Sequence, residues 1–342
     1  MWIHGGGYRE GFAFEPEMDG GEEWASRGVI LVSVTYRLGV LGFFSHPLLS
    51  AESPHGVSGN YGLMDQAAAL KWIANNIEQF GGDPKNITIF GQSAGAGSVQ
   101  CLCTSPLSKN VVSKGISMSG GGLSNARAAA LLDSAQLANK KMMDHFGKTT
   151  LDDMRALSFD ELVKMSQQYM DATKTRIFWG PVIDNYFLKK TFSDAAQAKE
   201  IADIPYMIGS TANDLADMTK PISDFCALRA TQSGKPAYAY FFQRQLPGDS
   251  SGAFHSSDLW YIFHSMKHSW RPFTAGDQEL SKQMVDYWTN FAKYGNPNGK
   301  SGDVWKPYTA QSPQFMVLDA DRNKAVLMMT PTPVYKGNVM RR

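Results

Sequence analysis

Strands alternate with helices in the first third of the chain. Residues 29–34, Val-Ile-Leu-Val-Ser-Val, form a continuous apolar run that predicts a buried parallel strand. Apolar residues then recur at helical spacing over 63–80, and Gly81-Gly82 predicts the end of that helix. A short strand over 86–90 leads into a glycine-rich turn and a second helix that starts at Ala94. This order is typical of an α/β fold with a doubly wound, mostly parallel sheet flanked by helices.

The rest of the chain predicts more of the same sheet, interrupted by a helical segment. We expect four further strands, at 115–118, 204–208, 237–242 and 315–318, and a long helix over 276–294. Between them, residues from about 122 to 202 have mainly helical patterns and are predicted to form an insertion that covers the functional site. We therefore predict a single domain over 1–342.

Composition excludes several classes of function. The 33 Lys and Arg residues balance 32 Asp and Glu residues, and no basic run is long enough to follow a nucleic acid backbone. No apolar segment has the roughly 20 residues needed to cross a bilayer. His264 and His268 have a metal-ligand spacing but lack an intervening Glu and a third ligand, so we expect neither a metal nor a cofactor.

The pentapeptide Gly91-Gln92-Ser93-Ala94-Gly95 has the G-x-S-x-G pattern of a nucleophile elbow. Alone the pattern is weak, because glycine and serine are common in this chain. Here it follows a predicted strand and opens a predicted helix, which is the context that the elbow requires. Small residues at both ends let the chain turn sharply and expose the Ser93 hydroxyl. Ser93 is therefore the candidate nucleophile, and a glycine-rich turn with an idle serine is the alternative.

A second glycine-rich motif precedes the elbow. His4-Gly5-Gly6-Gly7 matches the HGGG-type loop that supplies backbone N–H donors to an oxyanion. We assign the donors to Gly6, Gly7 and Ala94, since tetrahedral intermediates need two or more such groups. A flexible glycine turn is the alternative interpretation of the loop.

The catalytic base is sought among seven histidines. In this fold the order along the chain is Ser, then an acid, then His. Only His255, His264 and His268 come late enough, and His255 lies in a small polar loop after the predicted strand at 237–242. His255 is the best placed of the three.

Taken together, these motifs resemble the type-B carboxylesterase family, which also contains cholinesterases and bacterial para-nitrobenzyl esterases. The resemblance runs nearly end to end. It depends on Trp2 to Gly7, Tyr36 to Gly39, Asn60 to Leu63, Phe80 to Pro84, Gly91 to Gly95, His255, Tyr287 to Ala292 and Gly295 to Gly299.

The resemblance implies further site residues. The family's acid follows a strand-ending glycine by five residues, which corresponds to Asp214 here, with Asp217 as a second candidate. Ser119 matches a serine that supports the acid from behind, although an ordinary buried hydroxyl fits its sequence equally well. Phe178 and Trp179 match residues that line the acyl pocket, and core packing is the alternative for both.

The chain also departs from the family pattern. Asp214 stands where members usually have Glu, so either its loop lies closer to His255 or their hydrogen bond is longer. The chain lacks the family's segment before the HGGG strand, which predicts a sheet with one incomplete edge and a more open pocket. Gln92 replaces the anionic Glu of cholinesterases, which disfavours that specificity and makes Gln92 a candidate substrate contact.

These observations predict a carboxylic ester hydrolase that acts on small or aryl esters through an acyl-enzyme at Ser93. An adhesion domain without activity, as in neuroligin-like relatives, and an inactive truncated fragment are the alternatives. An amidase shares the same machinery. The sequence shows no signal peptide and opens directly on the HGGG strand, so this first residue is not expected to be the natural start, and compartment and oligomeric state stay open.

Overall fold

An eight-stranded sheet runs through the protein in the computed structural model, which describes residues 1–124, 129–177, 179–232, 234–299 and 305–320, and the backbone of 324–327. Its strands are β1 (Trp2–Ile3), β2 (Ser33–Val34), β3 (Thr88–Gln92), β4 (Lys114–Met118), β7 (Tyr206–Thr211), β8 (Ala237–Phe242), β9 (Gln314–Leu318) and β10 (Lys324–Leu327). Two short strands, β5 (Ala130–Leu131) and β6 (Val182–Ile183), pair separately.

The order across the sheet is β10-β9-β8-β7-β4-β3-β1-β2. All pairs are parallel except β9 with β10. Every residue of β3, β4, β7 and β8 is buried, as expected for parallel strands that are covered on both faces. The predicted doubly wound α/β sheet is confirmed.

Twelve α-helices lie among the described residues. They are α1 (Gly21–Ser26), α2 (Gly39–Phe43), α3 (Pro47–Glu52), α4 (Tyr61–Asn76), α5 (Ala94–Thr104), α6 (Leu132–His145), α7 (Leu151–Arg155), α8 (Phe159–Thr173), α9 (Phe192–Gln197), α10 (Thr219–Gln232), α11 (Leu259–Ile262) and α12 (Ala275–Tyr294). Three 3₁₀ helices cover Pro16–Met18, Ile77–Phe80 and Met266–His268. Capping boxes begin α7, α8 and α12, where a Thr or Ser side chain and an acidic side chain three residues later satisfy the free N–H groups.

Apolar side chains form a core on each face of the sheet. Along β8, Ala239 and Phe241 point to one face while Tyr240 and Phe242 point to the other, which is the alternation expected of a strand. The second face is rich in large rings, including Trp2, Trp24 and Trp288, all fully buried. Helices therefore cover both faces and leave only the strand ends open for a site.

The predicted strand at residues 29–34 is the main difference from expectation. Only Ser33–Val34 forms a strand, and it is β2, at the edge of the sheet. An edge strand has a ladder partner on one side only, so the run before it is half-exposed, and Ile30 is 42% exposed. The expectation of a buried strand was wrong here. Other elements were not anticipated either, among them the helices α1, α2, α3, α10 and α11 and the antiparallel β10.

Helices dominate the segment over about 122–202, with α6, α7, α8 and α9 and the small β5–β6 pair within its described part. That the chain is a single domain over 1–342, with this segment as an insertion that covers the site, stays a prediction. None of the helices in the described ranges is long and apolar enough to cross a membrane.

Helix α5 packs unusually close to strand β1. A Cβ atom built on Gly95 would lie 2.0 Å from the backbone oxygen of Ile3, well inside van der Waals contact. The helix therefore reaches the sheet only because residue 95 has no side chain. This contact brings the first turn of α5 against the strand that leads into the glycine loop.

We predict that Gly95→Ala lowers the free energy of unfolding by about 1–3 kcal/mol, because the added methyl group forces α5 away from β1. Gly21→Ala is the matched control, since a Cβ atom there meets nothing within 4 Å, and it should change stability by less than about 0.5 kcal/mol. Urea unfolding of both variants measures the difference. Equal effects would contradict the close packing at Gly95.

Candidate active site

Ser93 lies on a strained turn between β3 and α5. Its backbone has φ 56° and ψ −118°, a conformation that residues with a side chain rarely adopt. Two backbone hydrogen bonds hold it: Ser93 N–H donates to Met118 O at 2.8 Å, and Gly97 N–H donates to Ser93 O at 3.1 Å. The turn leaves the side chain partly exposed at the carboxyl end of β3. This is the geometry of a nucleophile elbow.

The glycine loop lies against this turn. A Cβ atom on Gly5 would be only 3.1 Å from the Cβ of Ser93, so the loop touches the elbow directly. Gly6 has φ +96°, and a Cβ atom there would lie 1.9 Å from Glu10 O, so no side chain is tolerated. Within the described residues, the Gly6 and Gly7 N–H groups have no backbone acceptor. The loop therefore presents free donors beside Ser93, and Ala94 adds the first N–H of α5.

His4 fixes the start of the glycine loop through its contacts with Tyr36. Its ring stacks on Tyr36 at a centroid distance of 4.5 Å, and the Tyr36 hydroxyl donates to His4 O at 3.0 Å. Burial lowers the pKa of His4, although the contact with Gly5 O opposes that effect. A neutral, buried ring of this kind fixes the start of the loop.

His255 and Asp214 form a short hydrogen bond. His255 Nδ1 lies 2.6 Å from Asp214 Oδ1, and the Asp214 side chain is only 4% exposed. Its other oxygen, Oδ2, accepts hydrogen bonds from the backbone N–H and the hydroxyl of Thr211. Asp217, the second candidate acid, is exposed and accepts a hydrogen bond from the Thr219 N–H. The structure therefore brings Asp214, and not Asp217, to His255.

The shorter Asp side chain reaches His255 because two loops lie close together. Asn213 N–H donates to Ala253 O at 2.9 Å, and Ala253 N–H donates to Asn213 Oδ1 at 2.9 Å. Asn213 and Phe254 form an isolated parallel bridge. The acid loop and the base loop are thus paired immediately before Asp214 and His255. The 2.6 Å distance between His255 Nδ1 and Asp214 Oδ1 excludes the longer hydrogen bond, which was one of the two options that the sequence left open.

Asp214 keeps its charge in spite of burial. Burial alone raises the pKa of this carboxyl, but the hydrogen bond and charge of His255 lower it, and Ser119 and the Leu215 N–H lower it further. The net pKa lies below the ordinary value for Asp. An ionised Asp214 holds the proton of His255 on Nδ1 and leaves Nε2 free to accept another.

Ser119 follows β4 with φ 53°, another strained position, and its N–H donates to Gly209 O at 2.8 Å. The hydroxyl lies near Asp214 and lowers its pKa, yet it makes no hydrogen bond of good geometry. Ser119 therefore lies near Asp214, and its role in supporting that carboxylate stays a prediction.

Gln92 contacts His255 on the side of the ring opposite Asp214. Its Nε2 lies 3.2 Å from His255 Nε2, and the residue is buried. No hydrogen bond joins Ser93 Oγ to His255 in the structure as described, so the amide and not the hydroxyl is the partner of Nε2. The amide N–H must donate here, since Asp214 fixes the ring proton on Nδ1.

The residues of the acyl-pocket hypothesis are less directly tied to Ser93. Trp179 is buried in the core on the α5 side of the sheet, 6.1 Å from the Phe44 ring centroid. Phe178 lies outside the described residues. The guanidinium of Arg9 donates to Ile177 O at 3.0 Å, which links the glycine loop to this segment.

Arg271 holds the loop that carries His255, and no motif in the sequence indicates this role. Its guanidinium makes two hydrogen bonds to Asp249, at 2.9 and 3.0 Å, and a third to Pro247 O. The same group stacks over Phe254, the residue before His255, at 5.2 Å, and over Trp270 at 4.8 Å. A planar, bidentate cation of this kind fixes the base loop from outside.

His264 and His268 are engaged separately. His264 Nδ1 lies 2.6 Å from Ser281 Oγ, and His268 Nε2 lies 2.8 Å from Asp19. Among the described residues, no cluster of three His, Cys, Asp or Glu side chains has the arrangement of a metal site.

The sheet order, the elbow and the glycine loop together define an α/β-hydrolase fold. A solved structure of a thermophilic PNB esterase superposes with a TM-score of 0.81, covering 95% of this chain and 76% of that chain at 26% identity. A second PNB esterase structure superposes equally well.

The model of the carboxylesterase family matches residues 1–224 and 217–332, so the chain belongs to that family. Fumonisin B1 esterase from Sphingopyxis macrogoltabida is 37% identical over 73% of this chain and 46% of its own length. Para-nitrobenzyl esterase from Bacillus subtilis (strain 168) is 28% identical over 94% of this chain and 75% of its own length. The chain thus spans about half of the first relative and three quarters of the second.

We predict that Asp214→Asn lowers kcat for p-nitrophenyl acetate by about 10³- to 10⁴-fold, because an amide no longer fixes the ring proton of His255 on Nδ1. Asp217→Asn is the matched control on the same loop, and its Asn oxygen still accepts from Thr219 N–H. It should leave kcat within about twofold, as an exposed carboxylate away from the base. Comparable losses in the two variants would rule out Asp214 as the acid.

Proposed function

We propose that this protein hydrolyses carboxylic esters through a covalent acyl-enzyme on Ser93, with His255 as the base and Asp214 as the carboxylate that orients His255. The 2.6 Å hydrogen bond between His255 and Asp214, at the end of the strands beside the strained Ser93 turn, carries the proposal. Membership of the carboxylesterase family supports the same chemistry.

The proposed reaction has two halves. Ser93 Oγ attacks the ester carbonyl carbon while its proton passes to His255 Nε2, and the carbonyl oxygen becomes an oxyanion. The oxyanion collapses, the C–O bond to the alcohol breaks, and the alcohol leaves with the proton from His255. Water then repeats the sequence on the acyl-serine and releases the carboxylic acid, and Ser93 regains its proton.

The oxyanion is proposed to bind the N–H groups of Gly6, Gly7 and Ala94. Each such donor is typically worth about 3 kcal/mol in the transition state. The strained backbone of Gly6 supports this role, since a side chain there is excluded by Glu10 O and the loop keeps one shape.

Gln92 has to change partner during the reaction. Its amide now donates to the nitrogen that must accept the proton of Ser93. We propose that substrate binding releases Gln92 from His255 and that the freed amide then contacts the substrate. Phe178 and Trp179 are proposed to line the acyl side of the pocket, and small or aryl esters are the proposed substrates.

A domain that only binds a partner is the competing function. Adhesion relatives of this kind lack the nucleophile, whereas Ser93, His255 and Asp214 are all present and the last two are hydrogen-bonded. A fluorophosphonate probe distinguishes the two functions, because it labels only an activated serine.

We predict that Ser93→Ala abolishes fluorophosphonate labelling and lowers hydrolysis of p-nitrophenyl acetate by more than about 10³-fold. Ser26→Ala, in an exposed position on α1, is the control and should label like the unaltered protein. Labelling that survives Ser93→Ala would contradict the proposal. A series of p-nitrophenyl esters of increasing acyl length, with a feruloyl ester added, then defines the acyl group that is preferred.

A further inference from the structure

Two arginine side chains near the glycine loop differ from the others in their charge pairing. Arg9 and Arg176 form no ion pair with any residue that the structure describes. The other described arginines each pair with an Asp or Glu at 2.5–2.9 Å, and they are Arg27, Arg37, Arg155, Arg229, Arg244 and Arg271. Pairing is therefore the rule in this part of the chain, and the two exceptions are available to an anion from solution.

The backbone of Arg9 is held against the glycine loop. Its N–H donates to Gly6 O at 3.0 Å, and the Glu10 N–H donates to the same oxygen at 3.1 Å. Tyr8, the residue before Arg9, is buried, and its carbonyl oxygen accepts from the Gly39 N–H at 2.7 Å. Arg9 therefore starts from a fixed position beside the proposed oxyanion donors.

The side chain of Arg9 extends to the segment that is proposed to line the acyl side of the pocket. Its Nη2 atom donates to Ile177 O at 3.0 Å. Ile177 is buried, lies two residues before Trp179, and directly follows Arg176, which is exposed. The two unpaired arginines thus belong to two segments that meet at this hydrogen bond, one carrying the oxyanion donors and the other the acyl wall.

The guanidinium of Arg9 keeps most of its hydrogen-bonding capacity. A guanidinium has five N–H donors in a planar fork and accepts no hydrogen bond. Ile177 O is the acceptor for Nη2, and no other described residue accepts from this side chain. Lys174, exposed two residues before Arg176, adds positive charge to the same segment. The remaining donors match a carboxylate, whose two oxygens accept parallel N–H bonds from an arginine.

We propose that Arg9, with Arg176, binds a carboxylate on the acyl part of the substrate, so that the preferred substrates are monoesters of dicarboxylic acids. This proposal rests on the proposed function and specifies its acyl group. The ester carbonyl is attacked by Ser93 with its oxygen in the glycine loop, and the acyl chain extends toward residues 177–179. The bond that breaks is the same as in a neutral ester, and water releases the alcohol and the dicarboxylic acid.

We predict that the unaltered protein hydrolyses monobenzyl adipate with a kcat/KM about tenfold above that for the benzyl ester of adipic acid monoamide. The two esters have the same length and differ only in a terminal carboxylate or amide, so contacts common to both cancel in the ratio. Succinate and glutarate pairs vary the distance between the ester and the carboxylate. Because the arginines are exposed, the ratio should fall as NaCl is raised from about 0.05 M to about 0.5 M. A ratio near one at every chain length would overturn the proposal.

We predict that Arg9→Met lowers this ratio to near one and that Arg176→Met lowers it part of the way, because methionine keeps an apolar stem without the charge. Arg9→Lys keeps the charge but not the planar fork and should retain part of the ratio. The ratio is the readout, since loss of the hydrogen bond to Ile177 O affects both esters. Arg155→Met is the matched control, at an arginine that is already paired with Glu52 at 2.5 Å, and should leave the ratio unchanged.

An unchanged ratio in Arg9→Met, or an equal fall in Arg155→Met, would disprove the role of Arg9. If Arg9→Met does not fold, Arg9→Lys and Arg176→Met decide, and unchanged ratios in both disprove it. A carboxylate on the alcohol part is tested with 4-(acetoxymethyl)benzoate and its amide. An equal gain for that pair would show that the carboxylate site faces the alcohol, and the acyl assignment would be wrong.

Calorimetric binding to Ser93→Ala protein separates recognition of the carboxylate from catalysis. Monobenzyl adipate should bind about tenfold more tightly than the monoamide ester, and Arg9→Met in the same background should remove the difference. A protein that hydrolyses no ester would contradict the proposed function, while this binding comparison would still test Arg9. Equal affinities for the two esters would overturn the carboxylate site.

Discussion

The contact between α5 and β1 is the constraint on which the candidate site depends. The oxygen of Ile3 occupies the space that a side chain at Gly95 would need. Because the helix lies so close to the strand, the Ser93 turn and the glycine loop that follows Ile3 touch each other. The same strand thus leads into the glycine loop, and the same helix begins directly after Ser93. Two motifs that are 84 or more residues apart thus lie in contact, as the approach of Gly5 to Ser93 shows.

The elements of the sheet follow from sequence where burial on both faces gives a long apolar run. Strand β8 lies at the predicted residues 237–242, and α12 begins one residue before the predicted helix. The prediction of a buried strand over 29–34 was wrong because an apolar sequence does not reveal whether a neighbouring strand lies on each side of it. Strand β10 was missed because its four residues, Lys324–Leu327, are too few for a periodic pattern to stand out.

The residues of the candidate site also differ in how far the sequence alone identifies them. Ser93, His255 and the glycine loop belong to local motifs, so sequence alone identifies them as candidates. The choice between Asp214 and Asp217 required the family resemblance, because both occupy one polar loop. Arg271 acts through contacts between distant segments, and no sequence motif surrounds it. Gln92 lies inside the Gly91 to Gly95 motif, but its contact with His255 depends on the folded arrangement of the two loops.

The paired loops beneath His255 have a consequence for how such a site can change over time. Asn213 and Ala253 hold the acid loop and the base loop at a distance that suits an aspartate. A glutamate at 214 is longer by one methylene and would push the imidazole away from Ser93 unless the loops moved apart. The identity of residue 214 and the spacing of the two loops therefore depend on each other. An exchange of one carboxylic acid for the other at position 214 therefore requires a different turn at Asn213 if the imidazole of His255 is to keep its place.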